Sequence, residues 1–166
     1  MSHGEHAAVM GLLVLGLVGV AFAVRGPLAR RAGLPPAATL GMLVAAAFCL
    51  GLTLPDQVQE GASARLDACL TGASVRAFPG GPAHHAFNVV AWVPLGLYGA
   101  LATRRPVAFA LAGSAAWALV EVAQTLDPER SCQPVDWLNN SVGVLAGALV
   151  GTFLLARGRL RLTAER

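Results

Sequence analysis

Within the apolar parts of this 166-residue sequence, polar side chains stand in pairs at helical spacing: Glu121 with Gln124, Asp136 with Asn140, and His85 with Asn88. Residues three or four apart share one face of a helix, so each pair offers two polar groups to the same neighbour. A charged residue at the centre of a membrane-spanning helix costs about 2.5 to 3.5 kcal/mol on insertion scales, and one that is kept there marks a site or a partner. Held on facing helices, Glu121 and Asp136 could serve as general acid and base. His85 would be an auxiliary base, and Arg130 would stabilise developing negative charge. The same groups could instead bind without reacting, with Asn88, Gln124 and Asn140 offering amides to hydroxyls and Arg130 suited to phosphate. A third reading is structural: the cluster hydrogen-bonds across helices, and Asp136 caps the last one. Interhelical polar contacts average only about 0.6 kcal/mol, which makes stability a weak reason to keep the whole cluster.

The elements that must position these residues are read from hydropathy. The chain is 55% hydrophobic and 13% charged, against roughly 25% charged in soluble domains, which excludes an ordinary water-soluble globule. Its net charge of +3 comes from arginines clustered between apolar runs, a membrane-topology pattern rather than a nucleic-acid surface. Five runs stand out, at about 7–24, 37–54, 86–102, 107–126 and 136–156. At 1.5 Å per residue each is about 26 to 31 Å long, close to the hydrocarbon thickness of a bilayer. The expectation is all-α: an integral membrane bundle of about five transmembrane helices, forming one membrane domain over 1–166. The first run has Glu5 before it and arginines after it, the reverse of a signal peptide, and is expected to stay as an anchor.

With five spans, segments 25–36, 103–106 and 157–166 share one side and hold nine of the twelve arginines. The positive-inside rule makes that side cytoplasmic, with the N-terminus outside and the C-terminus cytoplasmic. Cys69 and Cys132 then fall in two outward loops, where a disulfide could persist, while Cys49 reads as a small apolar residue within the second span. Helical rise arranges the polar residues in two layers: an outer one of His85, Gln124 and Asp136, and an inner one of Asn88, Glu121 and Asn140. Arg130 lies in the short loop above them. Deeper in the last helix, Gly143, Gly147 and Gly151 form a small-residue ladder that admits another helix at close range. The same ladder could join two copies of the chain.

The stretch from Asn88 through Trp92 to Gly96, then Glu121-x-x-Gln124, Arg130, and Asp136 through Asn140 to Gly143 and Gly147, resembles the VanZ-like membrane proteins, a family named for a protein associated with teicoplanin resistance. The resemblance covers a core of about 84–151. It implies Glu121, Gln124, Arg130, Asp136, Asn140 and Gly143 as the positions of interest, and an antibiotic-resistance or cell-envelope role. A glycopeptide or an envelope lipid intermediate is the expected partner beside the bilayer itself. The family is better defined by sequence than by a reaction. No cofactor is called for, and no HExxH or CxxC metal spacing is present; the adjacent His84 and His85 point to different sides of a helix. Hydropathy and the composition of a lysine-free, Ala/Gly/Arg-rich chain, read as high-GC coding bias, lead to the expectation of a multi-pass plasma-membrane protein of a high-GC bacterium.

Overall fold

The computed structural model describes residues 3–55, 60–71, 81–127 and 133–164. Within them the chain forms six helices and no strand: α1 (His3–Ala32), α2 (Pro36–Thr53), α3 (Ala62–Leu70), α4 (Pro82–Thr103), α5 (Pro106–Gln124) and α6 (Pro134–Ala164). All but the short α3 are long and apolar enough to cross a membrane. Leucine, valine and phenylalanine side chains on the outside of every long helix, among them Leu12, Phe48, Val90, Leu119 and Leu149, are exposed. In water such a surface would aggregate, whereas in lipid it is simply solvated.

Proline stands at four of the starts, Pro134 of α6 among them. Pro36, Pro82 and Pro106 stand in the first turn of α2, α4 and α5, where a missing N–H leaves no helical bond unmade. The positive φ of Arg104 (55°) ends α4 and turns the chain into α5. Several boundaries differ from the hydropathy reading. The arginines at 25, 30 and 31 do not stop α1, which continues to Ala32 with Pro27 inside it. Those side chains are exposed, so nothing forces the backbone to turn where the apolar run stops. α4 begins four residues before its apolar run, at Pro82, and so takes in both His84 and His85. The outward segment expected to be a loop also contains α3, whose nine residues bury none of their own side chains.

The core lies among α2, α4, α5 and α6 and comprises Ala45, Cys49, Trp92, Leu95, Ala100, Ala110, Trp117, Val144 and Ala148. Cys49 is fully buried, with its Sγ 3.7 Å from the carbonyl of Ala91. α4 and α6 form the most extensive helix contact, and α1 packs on α2 at the periphery. The glycine ladder of α6 faces α4. A side chain at Gly143 would run into the carbonyl of Val89 and lie 2.9 Å from Trp92 Cβ, and one at Gly147 would run into the carbonyl of Val93. Gly151 abuts Ala100, and Gly96 of α4 answers from the other side against the backbone of Val144. Small residues thus let two backbones touch, which is how helices hold together where lipid supplies no hydrophobic drive between them.

Candidate functional site

Because successive helices alternate in direction, one end of the bundle collects the start of α1, the end of α2, the start of α4, the end of α5 and the start of α6. A recess of about 310 Å3 opens there. Its polar wall is Asn88, Glu121, Gln124, Asp136 and Asn140, joined by His84 and Thr53; Met10, Leu52, Phe87 and Trp92 supply the apolar part. Five of the residues singled out by spacing therefore line a single recess.

Four of the five are held by a hydrogen bond. Asn88 donates from Nδ2 to Asp136 Oδ1 at 2.9 Å, joining α4 to α6. Asp136 lies in the first turn of α6, where the helix dipole favours a carboxylate, and His84 Nε2 is 3.4 Å from the same Oδ1. Glu121 is buried and accepts the backbone N–H of Gln133 on Oε2 at 3.2 Å, tying the end of α5 to the residue that precedes α6. Gln124 donates to the carbonyl of Thr53 at 3.0 Å. That carbonyl belongs to the last turn of α2, where backbone acceptors lack helical partners. Asn140 is 4% exposed and Trp92 2%.

The two-layer arrangement needs correction. Asn88 and Asp136, which helical rise puts in different layers, are bonded to each other. Gln124 turns to α2 rather than to His85 and Asp136. His85 is not in the recess: its Nδ1 is 2.9 Å from Nδ2 of Asn139, on the neighbouring strip of α6. The histidine at the recess is His84, four residues before Asn88 and on its face, with Nε2 3.3 Å from Asn88 Nδ2. The cause is the early start of α4, which puts both histidines in helical register about 100° apart. Arg130 and Cys132 lie outside the described residues. Cys69 sits on α3, and the free cysteine among the described residues is Cys49.

Three further residues, Arg65, Asp127 and Trp92, are not legible from spacing. Arg65 of α3 donates from Nε to the carbonyl of Thr125 at 2.7 Å and from Nη2 to that of Leu126 at 3.1 Å. It thereby lays α3 against the carboxyl end of α5, where a cation is favoured. Asp127, just past α5, is 1% exposed. Trp92 packs edge-on to Trp117, with ring centroids 5.9 Å apart, and its indole reaches the recess. Among the described residues no group of three His, Cys, Asp or Glu is placed to hold a metal ion.

Five membrane-crossing helices with a polar recess at one end define a multi-pass helical membrane protein with a small site built by its last three spans. The sequence matches the VanZ/LLP1 family over residues 53–155, well over half the chain, and the protein belongs to that family. The match takes in every described residue of the polar wall and leaves out α1 and nearly all of α2. No match was found among curated proteins or among solved structures.

Proposed function

We propose that the recess is an outward-facing binding site for the head group of a cell-envelope lipid, or for a head-group-sized part of a glycopeptide. The observation that carries this reading is the convergence of Asn88, Glu121, Gln124, Asp136 and Asn140 on one cavity from three helices. Polar groups at membrane depth cost energy unless they are used, and a shared recess is a use that scattered interhelical bonds would not require. Size argues for the smaller ligand: about 310 Å3 is at the lower end of the roughly 300–1,000 Å3 of ligand pockets. It admits a head group or a single sugar and not an entire glycopeptide. The outward orientation rests on the distribution of arginines, with the N-terminus outside and the C-terminus cytoplasmic, and the plasma membrane is the compartment that goes with it. The role in resistance rests on family membership. In this reading Arg130 supplies a positive charge for the ligand, and Cys69 pairs with Cys132. The family region and the two preceding spans act as one membrane domain.

A second reading makes the site catalytic. It is favoured by the 3.4 Å approach of His84 to Asp136, a carboxylate–imidazole pair that could relay a proton, with Glu121 in the same cavity as the other carboxylate. His84 takes the part that spacing gave to His85.

Substitution separates the two. Glu121→Gln and Asp136→Asn are expected to weaken retention of envelope lipids by the purified protein and to abolish any change in glycopeptide susceptibility that the wild type confers. If both variants keep the lipid but cells lose the phenotype, and the lipid composition reverts to that of cells lacking the protein, the catalytic reading takes over. If neither variant alters retention, lipid composition or susceptibility, the recess is structural.

A further inference from the structure

Two buried polar atoms at the recess have no hydrogen-bond partner: Trp92 Nε1 and Asn140 Oδ1. Both residues are more than nine-tenths buried and line the cavity. Gly143, three residues beyond Asn140 and on its face of α6, lies directly against Trp92, where an added Cβ would be 2.9 Å from the tryptophan Cβ. The indole N–H is only a donor and the amide oxygen only an acceptor. Leaving either one buried without a partner is costly. The other polar side chains of the wall are bonded, whereas this donor and this acceptor, on two residues that line the cavity, are not.

From this pair we infer that the recess reads a hydroxyl group: the ligand is a polyol or sugar whose hydroxyl accepts from Trp92 Nε1 and donates to Asn140 Oδ1. The inference rests on the proposed binding reading and sharpens it. A phosphate or carbonyl oxygen could satisfy the indole but has no proton for the amide oxygen. An ammonium could satisfy the amide but has no lone pair for the indole. A hydroxyl does both with one atom. The carboxylates of Asp136 and Glu121 on the same wall are acceptors for further hydroxyls and disfavour an anion beside them. A phosphate diester in the ligand therefore stays at the mouth, and Phe87 and Met10 at the apolar side of the recess are where an acyl chain would leave.

The test uses the full chain reconstituted in nanodiscs and native mass spectrometry of the lipid it retains. Phosphatidylglycerol is set against phosphatidylmethanol, which has the same charge and no head-group hydroxyl, and monoglucosyl diacylglycerol is added as a second hydroxyl donor. Wild type is expected to retain at least one of the hydroxylated lipids about a hundredfold over phosphatidylmethanol, about tenfold for each of two buried groups left unpaired. Trp92→Phe and Asn140→Leu should bring that ratio close to one. A soluble source of the same chemistry would appear as free glycerol or glucose raising the unfolding temperature of wild type and not of Asn140→Leu, and would equally support a hydroxyl reader. Equal retention of all three lipids by wild type, with no response to free polyols, overturns the inference, and this arm needs no variant to fold. Retention that ignores hydroxyls yet falls in Asp136→Asn would leave the binding reading standing without this refinement. Retention indifferent to every recess substitution removes both.

Discussion

Helices α4 and α6 are in contact along much of their length, and the two parts of that contact are built by opposite rules. In the stem, Gly96, Gly143 and Gly147 bring backbone against backbone. Toward the recess end, Asn88, Trp92, Asp136 and Asn140 of the same two helices line a cavity. The stem contains nothing that could do chemistry; the recess holds nearly everything that could. A site at membrane depth needs fixed walls, and lipid gives helices no reason to stay together. The glycine stem supplies the attachment that frees the residues beyond it to serve a ligand.

The contrast is broken most severely from the stem. Gly147→Ala would place a methyl against the carbonyl of Val93 and 2.6 Å from the amide nitrogen of Leu97. Both are backbone atoms that cannot rotate away, so a loss of about 3 kcal/mol is expected, the upper end for over-packing. Gly16→Ala on α1, with nothing within 4 Å of the added atom, is the matched control. Unfolding of the detergent-solubilised protein should separate the pair clearly. Were Gly147→Ala as stable as Gly16→Ala, close α4–α6 packing would not be what holds the bundle.

The recess should respond less in stability than in binding. Asn88→Ala removes the 2.9 Å bond to Asp136 across the helix pair, but Asp136 is partly open to solvent and keeps His84 nearby. The expected cost is about 1 kcal/mol in unfolding, together with a clear fall in retention of hydroxylated lipid. Loss of stability equal to that of Gly147→Ala, with retention unchanged, would make the recess a structural element.

This division was partly legible in the sequence. Apolar periodic runs announced the five long helices, and i, i+3 and i, i+4 spacing picked out Glu121, Gln124, Asp136, Asn140 and Asn88, because a polar residue in an apolar run has few roles available. The glycine ladder of α6 was visible for the same reason. Helix ends were less visible. α1 runs on through Pro27, and α4 starts at Pro82, since helices do not have to end where hydrophobicity ends. That early start exchanges His84 for His85 at the site. Trp92 was hidden because an indole in an apolar run reads as packing. Arg65 was hidden because its acceptors are the carbonyls of Thr125 and Leu126, sixty residues on, and no local pattern announces them.

The boundary between stem and recess offers the smallest and sharpest measurement. Ser114 of α5 and Ser141 of α6, the residue after Asn140, share a 2.8 Å hydroxyl contact, and Trp137 donates from Nε1 to the carbonyl of Ser114 at 2.9 Å. Ser114→Ala deletes the first bond and leaves the second, whose acceptor is backbone, so the register of α5 on α6 should survive. A double-mutant cycle of Ser114→Ala and Ser141→Ala should give a coupling of about 0.6 kcal/mol, the mean for such contacts in a membrane bundle. A value well above about 1.7 kcal/mol would exceed the largest of these. It would mean that polar contacts beside the recess are kept for their strength, and the argument that the neighbouring cluster is kept for a ligand would lose its energetic basis.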